Sequence, residues 1–522
     1  VAEPDEAFGV TISQAQGAVI GNPSQVGVQI LDEDTPMRLE AVGEQEIEGT
    51  VREEIPLQVR VLRADGRPVE GALVRWRAEG RAATAGEGQT RSNADGVATQ
   101  GILLARTPGP ATAVAALAGT DATVAFAIAV RGDLMTGLGA GGDPNEGDVA
   151  DTLDQSCADG DGDISELCEF VFGIDDPDER NEVVDRLTPR GALARNRAAL
   201  QGPKTQARNV GARMQALRGG GALSEDDAGL EVYDSTESPW GFFLNGRLSF
   251  GDAPRRGVEP SYDFQTDGLS AGVDYRLSDR FVFGAALGYL RSDTEIEADR
   301  GTIDMEGYSL TLYATYFKDA FYLESSLTYG VSEYDIERVI LLPRSFRGQS
   351  RLIAAGSPDS DQLSLTVGAG YDFRLGPAAT LSGFLRGSYV ASDVDSYSET
   401  GAMAFNVAYE DQDVESLLGE AGVEVIYPIS FSWGVLQPLV RVSFLHEFED
   451  SSEIVRARFV GDPRGRVFDL ESERPDRNFF NVAAGFTATL QRGWATYFQY
   501  DTDLERDDLD IYTLTGGVRF QF

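Results

Sequence analysis

One histidine, His446, and two cysteines, Cys157 and Cys168, are all that 522 residues offer for imidazole or thiol chemistry. A Ser-His-Asp triad, a Cys-His dyad or a multi-His zinc site would each have to use His446. No partner constellation gathers around it in the sequence. No Gly-x-Ser-x-Gly stretch comes with triad partners, and no Gly-Lys-Ser/Thr phosphate loop is present. The chain therefore reads as no enzyme. Cys157 and Cys168 flank Asp159-Gly-Asp161-Gly-Asp163. In an oxidising compartment they could close a short loop, worth a few kcal/mol in the chain-entropy model. The acidic run looks like the first half of a calcium loop, with Asp159, Asp161 and Asp163 as oxygen ligands. Counting from Asp159, however, Ile164 stands where that loop needs Gly, and Phe170 where it needs Glu. Calcium thus stands beside a plainer reading, a solvated acidic turn capping a helix at Ser165.

Those few groups sit in a chain with 85 acidic and 44 basic residues, net charge −41. Nucleic-acid binding needs the opposite sign, and electrostatic adhesion to anionic lipid heads is disfavoured too. No stretch approaches ~20 consecutive apolar residues, so no transmembrane helix is expected. Val1 follows no initiator Met and begins no signal peptide, which reads as a processed or truncated chain. A membrane β-barrel remains open, because it hides its apolar residues at every second position.

From about Trp240 that alternation is strict. Tyr512, Leu514, Gly516, Val518, Phe520 and Phe522 share one face; Thr513, Thr515, Gly517, Arg519 and Gln521 share the other. The split recurs at Leu269–Leu277, Leu363–Phe373, Leu417–Tyr427 and Phe480–Leu490. Further strands read around Trp240–Phe250, Phe281–Leu290, Tyr308–Phe317, Phe321–Val331, Leu381–Ala391, Leu436–Phe448 and Trp494–Tyr500, twelve in all. Short connections at 278–280, 318–320, 376–379, 430–433 and 492–493 alternate with long ones near 251–261, 292–306, 333–361, 392–413, 449–477 and 501–509. An even strand count with short turns on one rim and long loops on the other is the pattern of an outer-membrane barrel. Aromatics near strand ends, Tyr262 among them, would sit at headgroup depth.

Gly307-Tyr-Ser-Leu-Thr-Leu-Tyr-Ala-Thr-Tyr316, Gly268-Leu-Ser-Ala-Gly-Val-Asp-Tyr-Arg276, Leu445-His-Glu-Phe448 and the terminal Phe520-Gln-Phe522 together resemble the β-domain of type V autotransporters. The resemblance covers 238–522. It implies a barrel-assembly signal on Phe520 and Phe522, and partners in outer-membrane lipid, the barrel assembly machinery and periplasmic chaperones. It also implies an N-terminal passenger carried to the cell surface, and it makes His446 a strand residue.

Ahead of the barrel, residues 142–189 are acidic and helix-prone. Residues 190–218 invert the charge, with Arg190, Arg195, Arg197, Lys204, Arg208, Arg213 and Arg218 and no acid. Pro203 can open a helix and Gly219-Gly-Gly221 can end it, about 15 residues reaching ~23 Å. We read this as a helix inside the barrel, with Asp274, Glu324, Asp372, Glu420, Glu424 and Glu447 as acidic partners and Arg247, Arg276, Arg386, Arg441 and Arg519 also facing inward. A solvated basic linker is the alternative, and the family resemblance implies the pore helix. Some relatives cut themselves here at an Asn-Asn pair, which this chain lacks.

Residues 36–131 read as a small β-sandwich. Alternation at Leu57, Val59 and Val61 is followed by turns at Ala64-Asp-Gly-Arg67 and Asn93-Ala-Asp-Gly96. Strands follow at Val69–Trp76, Val97–Leu104, Ala111–Leu117 and Ala122–Val130. Asp65–Val74 and Asn93–Ala98 resemble the bacterial Ig-like domains of invasin-type adhesins. Phe8–Ser13 and Val26–Asp34 look like the last strands of a Calx-β repeat, which would make Asp32, Glu33 and Asp34 candidate calcium ligands. Arg131-Gly-Asp133 reads as coincidence rather than an integrin motif.

The resulting expectation is a mainly β chain: a partial module over 1–35, an Ig-like sandwich over 36–131, a linker with the Cys pair and basic pore helix over 132–237, and a twelve-stranded antiparallel transmembrane barrel over 238–522. It would sit in the bacterial outer membrane and display its extracellular modules for adhesion to an unknown surface ligand or receptor, or as a stalk. No cofactor is expected beyond possible calcium. The rivals are a pore with a periplasmic N-terminal domain and the remnant of an enzyme whose catalytic domain lies upstream.

Overall fold

The computed structural model describes residues 6–11, 25–30, 37–134, 138, 142–159, 162–219, 239–296, 298–376, 379–490 and 494–521. It divides into two compact units, one of 1–137 with 153–161 and 168–175, the other of 138–152 with 162–167 and 176–522.

In the first unit, Glu6–Thr11 pairs antiparallel with Gln25–Ile30. Residues 37–131 form a four-stranded and a five-stranded sheet. Alternate residues are buried, as in Thr123–Arg131, where Val124, Phe126, Ile128 and Val130 go inside. Turn chemistry sets the connections. The Asn93 side chain accepts from the Asp95 and Val97 amides, and Gly96 takes φ 76°, a conformation glycine adopts without strain. The strand expected at Val69–Trp76 lies instead at Leu73–Gly80. Residues 68–72 stay in the turn because Ser92 Oγ bonds the Ala72 amide and the Val69 carbonyl.

In the second unit twelve strands close into an antiparallel barrel. They are β1 (Trp240–Ala253), β2 (Tyr262–Ser278), β3 (Phe281–Ile296), β4 (Gly301–Lys318), β5 (Phe321–Phe346) and β6 (Asp359–Leu375). The rest are β7 (Ala379–Val394), β8 (Gln412–Ile426), β9 (Gly434–Glu447), β10 (Asn478–Leu490), β11 (Trp494–Leu504) and β12 (Asp510–Gln521). Pairing of β12 with β1, Phe242 opposite Phe520, closes the cylinder.

Several segments expected as loops are strand. β5 runs on to Phe346 and folds back through Gln349–Gly356, while short strands at 397–398, 407–409, 454–459 and 467–471 build a separate sheet at the long-loop rim. The reason is a change of phase. On β4, Tyr308, Leu310 and Leu312 face outward, and Thr311 and Thr315 inward. From Tyr308 to Tyr316, eight steps of ~3.4 Å tilted ~40° give roughly 21 Å, near the ~25 Å apolar band of such barrels. Above that band the polarity reverses: Asp304 and Glu306 face out while Ile303 and Met305 are buried inside. β5 does the same, with Val331 the last apolar outward residue before Glu333, Asp335 and Glu337, and Tyr334 buried within. The upper tier thus packs as a water-soluble barrel around its own core, which includes Phe264, Leu290, Ile296 and Ile511. Tyr262 belongs to that core rather than to a headgroup belt. The belts themselves form from pairs such as Trp240–Tyr275 and Trp494–Phe520 at the short-turn rim, and Phe250–Tyr512 and Tyr289–Tyr308 at the other.

The described residues of the linker include α1 (Pro144–Asp159), α2 (Ile164–Phe172), α3 (Pro177–Leu187) and α4 (Gly191–Gly219). The expected start of the last one at Pro203 is wrong. Pro203 lies inside a 29-residue helix. Proline costs an interior helix about 3 kcal/mol through a lost donor and a ring clash. Burial of α4 along its length offsets that cost, with Ala194, Ala199, Val210 and Met214 almost fully enclosed.

Candidate functional site: the helix-filled lumen

The basic helix lies in the barrel, fastened to one wall. Val210, Met214 and Leu217 pack with Phe243, Val282, Ala286 and Tyr313 of β1, β3 and β4. Close approach depends on glycines. A Cβ on Gly268 would meet Asn209 and Thr205 at 3.1 Å, and one on Gly202 of the helix would meet Leu290 at 2.6 Å. Polar bonds complete this wall. Asn209 Nδ2 donates to Ser270 Oγ at 3.2 Å, and Ser270 Oγ donates to Gln206 Oε1 at 2.8 Å. Arg213 donates through Nε to Asp274 Oδ2 at 2.9 Å, Tyr313 OH donates to the same oxygen at 3.2 Å, and the guanidinium lies 5.3 Å from the Phe243 ring centre.

At the long-loop rim Arg197 donates to Glu259 at 2.9 Å and lies 3.6 Å from Asp508. Both acids lie in loops, and neither was foreseen as a partner. Arg195, 1% exposed, pairs with no carboxylate among the described residues; its guanidinium lies 5.4 and 5.5 Å from the ring centres of Tyr397 and Tyr409. A cation over aromatic faces is held by the ring quadrupole. Lys204 stands 3.9 Å from Glu447. Of the other foreseen acids, Glu424 accepts from Gln215, Glu324 and Glu420 pair with Arg386 of the barrel, and Asp372 accepts from Ser382. The Arg218 side chain lies outside those described.

Arg190 precedes the helix and stays out of the lumen, contrary to expectation. It is buried against Asp143, Glu146 and Asp185. Burial opposes its charge, but the hydrogen bonds it donates to these carboxylates outweigh that and raise its pKa. Asp185 is held below the usual carboxylate range: burial would raise it, and Arg300 and Arg190 more than compensate. Arg344–Glu179 and a two-way Asn145–Glu471 bond also tie the residues before α4 to the long-loop rim. The chain therefore enters the barrel at the long-loop mouth (Arg197) and descends to the short-turn mouth (Arg213–Asp274), the rim where β1 begins.

Cys157 and Cys168 are disulfide-bonded, Cα–Cα 5.5 Å. Asp159 ends α1 and Asp163 precedes α2, whereas Asp161, Asp32 and Asp34 lie outside the described residues. Among the described residues no group of three or more His, Cys, Asp or Glu could hold a metal ion. His446 lies on β9, its Nδ1 2.8 Å from Asn478 Oδ1 and its ring edge-on to Phe448. Phe520 packs against Trp494 at the short-turn rim, rings tilted at 45°, and Phe522 lies outside the described residues. Arg131 is paired to Glu48.

A family model described as the autotransporter beta-domain matches residues 220–501, more than half of the chain. The chain belongs to the autotransporter β-domain family, a protein of the bacterial outer membrane. Lipase 1 of Photorhabdus luminescens is 25% identical over 260 residues, and Esterase EstA of Pseudomonas aeruginosa 25% over 254. These alignments cover 49% and 48% of this chain and 38% of each relative, so the chain spans well under half the length of the relatives it matches. Among solved structures, the translocator domain of NalP from Neisseria meningitidis is similar with a TM-score of 0.45 at 16% identity, covering 61% of this chain and 96% of that one. The β domain of Bordetella BrkA gives 0.40 at 17% identity, covering 54% and 100%.

Proposed function

We propose that this barrel anchors its own N-terminal part and holds it outside the cell, for adhesion or as a surface stalk. The observation that carries the reading is the path of α4. A chain that enters the lumen at the long-loop mouth leaves everything before residue 190 on that side of the membrane, and long loops face outward in such barrels. The β-sandwich at 37–131, read as Ig-like by its turn motifs, would serve as a rigid spacer or binding module. The pair of strands at 6–11 and 25–30 would be the end of a Calx-β-like module, with calcium at Asp32 and Asp34 or at Asp159–Asp163 belonging to the same reading. Assembly would use the barrel machinery through Phe520 and Phe522. Protease applied to intact cells should remove residues before about 190 and leave the barrel. Full protection of the sandwich on intact cells would overturn this orientation.

The names Lipase 1 and Esterase EstA favour a second reading, in which what is displayed is a hydrolase. Residues 1–237 contain no histidine, so a Ser-His-Asp triad has no base there. In that reading the catalytic domain precedes these residues: hydrolysis of a short-chain p-nitrophenyl ester by cells expressing the full-length gene, and none by cells displaying only these 522 residues, would establish the enzyme.

A further inference from the structure

The helix does not fill the lumen evenly. Toward β2–β4 its side chains meet glycines and interlocking bonds. Toward β7–β11 it faces open space. Gly211 shows the contrast: a Cβ added there meets nothing within 4 Å, whereas one on Gly202 collides with Leu290. Along this open side three cavities follow one another. The outer one is ≈ 490 Å³, the middle one ≈ 90 Å³, and the innermost ≈ 30 Å³. Successive cavities share walls, the first two at Lys204, Arg208 and Arg247, the last two at Ala212, Gln215 and Gln499. A space of ≳ 10–15 Å³ admits one water, so even the tightest section holds about two.

The middle section carries a charge opposite to that of the whole chain. Five cations line it, Lys204, Arg208, Arg247, Arg386 and Arg441, against two carboxylates, Glu420 and Asp501. Both carboxylates are already engaged. Glu420 lies 2.9 Å from Arg386 and Asp501 3.3 Å from Arg247. Among the described residues, Arg208 and Arg441 have no carboxylate within ion-pair distance. The Nε atoms of Arg247, itself 4% exposed, and of Arg441 are buried without a hydrogen-bond partner. Buried guanidinium donors with nothing to donate to are costly unless an anion visits them. A narrow cationic stretch between low-dielectric walls concentrates anions and excludes cations.

We propose that the barrel, with its helix in place, conducts small inorganic anions along the open side of α4, with Arg208, Arg247 and Arg441 forming the site that selects them. Chloride and phosphate are the sizes that suit a section this narrow. The inference uses only the barrel and its helix, and stands whatever the N-terminal part displays.

The test is the full chain in planar bilayers under a KCl gradient. The expected result is a small steady conductance, well below that of a chain lacking 191–219, with a reversal potential on the chloride side. The double variant Arg208→Glu with Arg441→Glu should move that potential toward potassium. Gly211→Trp should lower the conductance by occupying the crevice without touching the packed wall. Chloride flux into vesicles loaded with a chloride-quenched dye checks the same variants, and heat-modifiable migration on gels shows whether each barrel has folded. A full chain that is silent where the helix-deleted chain conducts would overturn the leak while leaving the anchoring role intact. A conducting chain whose selectivity ignores the double charge reversal in folded protein would overturn the site.

Discussion

The lower and upper tiers of the barrel use the same strands for opposite purposes. Below about Tyr308 and Val331 the outward residues are mostly Leu, Val and aromatic, and the inward ones are mostly Thr, Ser and Gly, with Tyr313, Tyr322 and Glu324 among them. Above, the outward ones are Asp and Glu, and the inward ones Ile, Met and Tyr. A strand has only one alternation, so the solvent on each side decides which phase is stable. Where lipid surrounds the cylinder, apolar residues go out; where water does, they go in and close on the helix. The outer loops can therefore be folded and packed rather than trailing, and the bonds of Asp185 to Arg300, Arg197 to Glu259 and Asn145 to Glu471 hold the entering chain to them.

If that comparison is right, equivalent substitutions should differ by tier. The largest effect is expected from Arg213→Ala, which leaves Asp274 buried and unpaired at a cost of about 3–5 kcal/mol. It should free the helix at the short-turn mouth and raise conductance sharply. The same truncation at Arg208, which has no carboxylate partner, should leave helix retention unchanged as read by protease protection of α4. Next, Leu312→Arg on the lipid face should cost about 2–4 kcal/mol and reduce the heat-modifiable barrel on gels. Glu306→Arg, a few residues higher on the same face, should be tolerated. Met305→Ala inside the upper tier should cost roughly 2–5 kcal/mol, seen as faster proteolysis of the outer loops with the membrane tier intact.

The smallest expected effect is on pH. The depressed pKa of Asp185 makes its contribution present above the unfolded value of about 3.9 and lost as pH falls through its lower folded value. Loop proteolysis should therefore quicken only in that acid range. In Asp185→Asn it should be raised at neutral pH and lack that acid step.

Much of this was legible beforehand, and for identifiable reasons. Strict alternation from Trp240 marks strands, and twelve of them with unequal loops mark a membrane barrel. The block from Arg190 to Arg218, free of acids, pointed to a helix in the lumen. The errors came where local rules compete with burial. Pro203 points to a helix start because proline breaks exposed helices, but the lumen supports it inside this one. Residues 292–306 and 333–361 read as loops because their outward faces are acidic. Their inward phase, Ile303, Met305, Tyr334 and Ile336, is the apolar signal that marks them as strand.

Composition and periodicity by themselves determined the kind of object: a barrel for the outer membrane, a basic helix associated with it, and an N-terminal part, residues 1–237, without histidine. Only the tertiary structure decided which wall holds the helix, that Arg197 meets Glu259 and Asp508 while Arg195 meets tyrosines, and where open space is left. Alternation is a property of neighbours along one strand and survives in the sequence. The meeting of α4 with strands up to three hundred positions away depends on closure of the cylinder, which brings together residues that no local pattern relates.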